Sequence, residues 1–199
     1  SATSSMSMDG VKVSLNSRCA DVIIGDTDIL KQAPEHMLKA GLGDMLAKYV
    51  SIAEWRIGSL ITGEYYCERV AQLIRTALKK CVNNAEGLLK REDAAVEAVF
   101  EGLVIGGVAM AYAGVSRPAS GVEHYISHVL DMRGMEFGTP TELHGTQCGN
   151  HQIQRLDIAD LDISSELVLE SQLHCSVIRT ADFCRSRLHE GARNVSVGI

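Results

Sequence analysis

Along the middle of the chain, apolar side chains return every three or four positions, the spacing of one face of a helix. From Gly43 onward Met45, Leu46, Tyr49, Ile52 and Ala53 follow it. A second run, opening at Glu64 or Glu68, carries Val70, Leu73, Ile74, Ala77, Leu78 and Cys81, and weakens at Asn83-Asn84. The stretch EDAAVEAVFEGLVIGGVAMAYAG predicts a third helix, amphipathic in its first half. Its second half is apolar nearly all round, which predicts a central, buried helix. After the loop at Ser116 to Ser120, SGVEHYISHVLDM predicts a fourth helix, with Ser120 as N-cap and Glu123 completing a capping box.

Either side of this block the pattern is poorer. Residues 1–19 predict loop, with a short alternating piece at Val11-Lys12-Val13. ADVIIGD (20–26) predicts a short buried strand without an obvious partner, and Asp26 or Thr27 then caps a short helix, DILKQA, stopped at Pro34. Beyond Gly149 the sequence NHQIQRLDIADLDISS is polar and has no helical stripe. The following stretch allows one helix capped by Ser164 or Ser165. The expected organisation is therefore an irregular arm over 1–42, an all-α bundle over 43–149 and a divergent tail over 150–199. No repeat is visible.

Composition narrows the classes of function. The chain has 199 residues, 46% of them hydrophobic, and a formal net charge of -6. That suits one sizeable core and gives no basic surface for nucleic acid. The run from Leu103 to Val115 holds three glycines and reads as too short for a membrane span. The N-terminus has no positively charged and apolar leader pattern. Six cysteines without CxxC spacing predict free thiols in a reducing cytoplasm, not a four-cysteine zinc site.

Three segments carry candidate chemistry. In AGLGDMLAKY, Asp44 follows a glycine turn at the expected start of a helix; in SGVEHYISH, His124 and His128 share a helical face; in ELHGTQCG, His144 precedes Gly145. An acid and two histidines from separate segments, with glycines allowing close approach, fit a catalytic dication with three protein ligands. Each has a plainer alternative. Asp44 could be an N-cap, Asp9-Gly10 a turn, His144 a helix-end residue, Lys48 a solvated charge, and His128 a core hydrogen-bonding group. Glu123 is read as a helix cap. Trp55 and the methionines are read as core, and Tyr65-Tyr66 as packing between helices.

The stretches GLGDMLAKYVSIAEWRIGSLITGEYYCERVA, SGVEHYISHVLDM and LHGTQCG resemble the helical domain of bacterial sn-glycerol-1-phosphate dehydrogenases. These belong to the superfamily of iron-containing alcohol dehydrogenases, glycerol dehydrogenases and dehydroquinate synthases. SMSMDG resembles the loop that joins their two domains. The resemblance implies Asp44, His124 and His144 as metal ligands and His128 beside the substrate as a proton shuttle. It implies Asp9 facing substrate and nicotinamide. Lys48 lies in the matching lysine motif, and its charge suggests phosphate contact. The implied metal is zinc, iron or nickel, with zinc preferred, and the implied coenzyme is NAD or NADP. The implied reaction is hydride transfer between glycerol 1-phosphate and dihydroxyacetone phosphate.

The resemblance also implies a nucleotide-binding α/β domain of about 100–150 residues ahead of the SMDG loop. No strand followed by a glycine-rich phosphate turn is found in this sequence, and Gly106-Gly107 falls inside an apolar helix. A truncated or split dehydrogenase, inactive without a cofactor-domain chain, is therefore expected. The alternatives are a non-catalytic interaction module, for instance one dimerising with an intact copy, and an unrelated helical protein.

Overall fold

In the computed structural model, residues 3–153 are described, and all of them fall within one compact unit. The chain is mainly helical, as the periodicity predicts. Its element order is β1 (Thr3–Met8), β2 (Val11–Asn16), α1 (Thr27–Leu30), α2 (Glu35–Thr62), α3 (Glu68–Asn83), α4 (Ala85–Leu89), α5 (Asp93–Ala113), α6 (Val122–Phe137) and α7 (His144–Ile153).

The spine is α2, 28 residues long, which touches every later helix. It starts at Glu35, directly after Pro34, and not at Gly43. Pro34 is suited to a helix entry because no intrahelical partner awaits its missing N–H. Gly41 and Gly43 lie inside the helix, so Asp44 is an interior residue and not a cap. Its end is an αL glycine, Gly63 (φ 72°), whose N–H bonds Ser59 O. Of the stripe predicted for α3, Ile74, Ala77, Leu78 and Cys81 are buried against α5 and α2 and Val70 is partly so, whereas Leu73 is exposed and Ala71 is buried in its place. Trp55 is fully buried, its Nε1 donates to Tyr65 O (2.6 Å), and its ring meets Tyr66 edge-on at 4.8 Å between centroids. Tyr65 itself is exposed. Met45 is core, whereas Met6, Met8, Met37 and Met135 are exposed.

Several expectations are corrected. The first residues are an antiparallel hairpin, with Met8 opposite Val11. Asp9 (φ 50°) and Gly10 (φ 79°) make its two-residue turn, the conformation that Asp-Gly adopts most readily between strands of native twist. Residues 20–26 are not a buried strand. Val22, Ile23 and Ile24 are exposed, and among the described residues no strand edge pairs with them. Gly25 is pressed against the ring of Phe100. Asp26 does cap α1, its Oδ1 accepting from Asp28 N (2.9 Å). The helix ends at Leu30, earlier than Pro34.

The third predicted helix, α5, is buried mainly through its first half and its small residues: Ala95, Val96, Ala98, Val99, Gly102, Gly106 and Ala109. Leu103, Val108 and Tyr112 face outward, so the second half is not central. The whole of α5, 21 residues, is long and apolar enough to cross a membrane by length and composition, a test that core helices packed inside a protein also pass. Helix α4 carries no sequence signal that distinguished it. The N-cap of α6 is Gly121, one residue later than Ser120. Helix α7 carries helical structure through Ile153. The helix allowed for the tail, with its caps Ser164 and Ser165, lies outside the described residues.

Candidate metal centre

The centre is built where α2, α6 and α7 meet. Contact between α2 and α7 runs through glycine. A Cβ on Gly145 would fall 2.0 Å from Ala40 O, and one on Gly149 would fall 2.7 Å from Gly43 Cα. Only backbones without side chains approach this closely. The contact carries Asp44 of α2 up to His144, the first residue of α7, while α6 brings His124 to the same point. Asp44 Oδ1 lies 3.4 Å from His124 Nε2 and 3.9 Å from His144 Nε2, and the two rings stand edge-on at 4.8 Å. Cys148, one turn after His144, completes a group of four potential ligand atoms all within 4.8 Å of one another.

The outer partners fix which ring nitrogen carries a proton. His124 Nδ1 is 2.8 Å from Glu123 Oε1, and a carboxylate can only accept, so Nδ1 donates and Nε2 faces Asp44. For His144 the argument takes more steps. Gln147 Nε2 donates to Asp131 Oδ1 (3.1 Å) and Glu142 O (2.9 Å), which turns Gln147 Oε1 towards Ser127. Ser127 Oγ donates its proton to that oxygen (2.6 Å), leaving a lone pair for His144 Nδ1 (2.7 Å). His144 Nδ1 therefore donates, and its Nε2 lone pair faces the cluster. Such partners orient ligating imidazoles and raise their basicity.

The capping reading of Glu123 is half of its role. Its Oε1 also accepts from Gly121 N (2.8 Å), while Oε2 is buried without a hydrogen-bond partner. A Cβ on Gly121 would touch both Glu54 Oε2 and Glu123 Oε2, so the two carboxyls are close. Glu54 Oε2 accepts from Val122 N (2.7 Å). Burial, and then the neighbouring Glu123, push the Glu54 carboxyl up to about 7.

The electrostatics are those of a tightly coupled group of acid, imidazoles and lysine. Burial favours the neutral form of Asp44, yet His124 and Lys48 hold its carboxyl well below the usual range. Burial opposes charge on His124 too, but Asp44, Cys148 and Glu123 push it up to about 11. The pair is thus ionic, and a dication would take the place of the proton on Nε2. Burial, followed by the charge of His124, lowers His144. Burial, followed by His144 and Lys12, lowers His128.

The remaining candidates are placed as follows. His128 stands one turn beyond His124, its ring 5.6 Å from that of His144. Lys48 is buried, not solvated, and its Nζ donates to Asp44 Oδ2 (2.8 Å) and Asp44 O (2.9 Å). It thereby occupies one carboxylate oxygen and leaves Oδ1 to the cluster. Asp9 lies in the exposed hairpin turn and is not among the four clustered residues. The hairpin reaches the centre through Lys12 instead, whose Nζ is 3.4 Å from Asp131 Oδ2. The sequence reading missed Cys148, Ser127, Gln147 and Lys12. For Cys148 a signal existed: it follows His144 by four residues.

No protein-family model matches the sequence. Curated relatives do. The chain is 36% identical over 149 residues to a glycerol-1-phosphate dehydrogenase [NAD(P)+] of Bacillus velezensis, covering 75% of this chain and 38% of that protein. It is 38% identical over 149 residues to the enzyme of that name from Thermococcus sibiricus, covering 75% and 41% respectively. For the Bacillus subtilis protein the identity is 36% over 140 residues, covering 70% and 36%. The chain thus spans about two fifths of the length of these relatives. Over that span it is a homologue of the glycerol-1-phosphate dehydrogenases.

Proposed function

We propose that this chain forms the metal-binding, alcohol-activating part of a glycerol-1-phosphate dehydrogenase-like oxidoreductase. The observation that carries the reading is the meeting of Asp44 Oδ1, His124 Nε2 and His144 Nε2, each with its other polar atom already engaged. The mixed carboxylate and imidazole set suits zinc first, and iron or nickel also. Bound there, a dication supplies Lewis-acid polarisation of the alcohol or ketone oxygen of glycerol 1-phosphate or dihydroxyacetone phosphate.

The chain's own groups do the rest on the substrate side. His128, lowered towards its neutral form and beside His144, is placed to accept the alcohol proton through water and return it in the reverse direction. Lys48 balances the charge on Asp44 and steers Oδ1, a role its buried position favours over phosphate contact. Asp9 would face substrate and nicotinamide from the hairpin turn. Lys12 adds positive charge on the same side.

Hydride transfer needs NAD or NADP held at near-attack distance. Among the described residues the only sheet is the two-stranded hairpin, so none offers a parallel-sheet phosphate turn. The nucleotide site would come from a cofactor domain, in the same polypeptide or in a partner chain, and the assembly would work on a soluble cytoplasmic substrate. Exposed Leu103, Val108 and Tyr112 on α5 are available for such a contact or for a homodimer.

The test uses the 199-residue chain. Zinc should bind with a stoichiometry of one and raise the melting temperature, and a His124→Ala, His144→Ala double change should abolish both. Zinc retained by the double variant would overturn the reading. With glycerol 1-phosphate and NAD or NADP the chain alone should give no turnover, and an added cofactor domain from a relative should restore it. Metal binding without such rescue would favour a non-catalytic interaction module.

A further inference from the structure

The fourth member of the cluster is a thiol. Cys148 Sγ is 3.6 Å from His144 Nε2, fully buried, and within 4.8 Å of the ligand atoms of Asp44 and His124. Zinc bond lengths of about 2.0–2.1 Å to nitrogen or oxygen and about 2.3 Å to sulfur imply a tetrahedron with edges of about 3.3 Å and about 3.6 Å respectively. The observed separations are 3.4 Å from His124 Nε2 to Asp44 Oδ1, 3.9 Å from His144 Nε2 to Asp44 Oδ1, and 3.6 Å from Cys148 Sγ to His144 Nε2. Two of these edges stand close to the ideal figures, the third is about 0.6 Å longer, and all six lie within 4.8 Å. Helix geometry accounts for the placement: His144 and Cys148 are one turn apart on α7, so both point at α2 and α6.

We infer that Cys148 is a fourth metal ligand, so that the centre is an Asp–His–His–Cys tetrahedron closed by a thiolate. The inference rests on the reading that this cluster holds a dication. On binding, the Cys148 S–H bond breaks, its proton leaves to solvent, and the sulfur lone pair forms the bond to the metal, with no change of oxidation state. A thiolate at the fourth vertex has a consequence for the substrate. An alcohol oxygen must either displace Cys148 or enter as a fifth ligand, whereas an open three-ligand site would hold water there. Displacement would keep the sulfur buried: the thiolate would take up the proton that the alcohol O–H gives up as its oxygen replaces sulfur, and the re-formed thiol would donate to the backbone carbonyl of Glu123, 3.9 Å away.

Cobalt(II), titrated into the 199-residue chain and followed by absorption, separates the possibilities. Cobalt bound to thiolate gives a near-ultraviolet sulfur-to-metal charge-transfer band, and a tetrahedral set gives intense visible bands. The expected result is one equivalent of cobalt with both features. Cys148→Ser should keep cobalt and lose the near-ultraviolet band, with Cys148→Ala as a second variant should the serine form fold poorly by circular dichroism. Cobalt bound to the unaltered chain without that band would overturn the role of Cys148 and leave the Asp44, His124 and His144 reading standing. A band that persists in both variants would assign the sulfur elsewhere and likewise overturn it. Failure of cobalt and zinc to bind at all would overturn the metal reading itself.

Discussion

Gly43 and Gly145 meet backbone to backbone: a Cβ on Gly43 would stand 2.3 Å from the carbonyl oxygen of Gly145. The close approach of α2 and α7 places Asp44 and His144 on either side of the same small volume. A side chain at either glycine must push the helices apart. Gly145→Ala should therefore cost about 1–3 kcal/mol or more of stability, from overpacking with no flexible neighbour to yield. It should also weaken zinc binding by separating two ligands. Urea denaturation and a zinc competition titration check both. An alanine variant with unchanged denaturation midpoint and zinc affinity would refute the backbone contact.

Glu123 predicts a separation of stability from metal affinity. Glu123→Gln keeps an acceptor for His124 Nδ1–H but removes the charge that fixes the tautomer. Its amide nitrogen would take the place of Oε2, which now lacks a partner beside Glu54. Zinc affinity should fall about 10–100-fold, the usual cost of losing an orienting partner, while the melting temperature holds or rises. Equal losses in both would show that Glu123 is only a helix cap.

Glu54 makes stability depend on pH. Its ordinary value of 4.5 is raised to about 7 in the folded chain, by burial and then by Glu123. The folded state thus prefers the protonated form. This contribution is fully present below about pH 4.5 and is lost as pH rises through 7, by on the order of 3 kcal/mol. Asp44, lowered on folding, slopes the other way, so the difference between variants is the informative quantity. Glu54→Gln retains an acceptor for Val122 N–H and should be the more stable form at pH 8, with the advantage vanishing near pH 4.5. Parallel stability profiles for the two proteins would sink the idea.

Trp55 anchors α2 beneath the turn that leads to α3. Trp55→Phe removes the bond to Tyr65 O and leaves a void next to Tyr66. The expected loss is about 1–3 kcal/mol, read from the chemical denaturation midpoint by circular dichroism. A change under about 0.5 kcal/mol, typical of surface positions, would show the site to be slack.

Much of this was legible in one dimension. The stripe of α3, the apolar run of α5 and the loop and cap signals ahead of α6 are local patterns, and the helices follow from them. Asp44, His124 and His144 stood out because acids and imidazoles beside glycines are rarely placed by packing alone. The rest depended on what lies opposite. Residues 20–26 look like a strand, but a strand needs a second edge, and Val22 to Ile24 meet solvent. Gly41 and Gly43 look like a helix boundary. They are interior, and the space their missing side chains leave is taken by Val99 and Leu103 of α5 at Gly41 and by Gly145 and Gly149 of α7 at Gly43. Cys148 looked like any free thiol until the turn from His144 was drawn, and the order Gln147, Ser127, His144 cannot be seen until α6 and α7 lie side by side. Asp9-Gly10 reads as a turn from the sequence, and the strands it joins make the hairpin that the dipeptide further signals.

Asp44 and His144 are 100 positions apart in the chain, and Lys12 joins the same network through Asp131, Gln147 and Ser127. Closing a loop of that length must precede any reward from the contacts it brings together. During synthesis Asp44 emerges long before its partners, and the pocket exists only once α7 has docked. The cluster of Asp44, His124, His144 and Cys148 is therefore a late clasp and not a nucleus, assembled on a topology that the glycine crossing has already chosen.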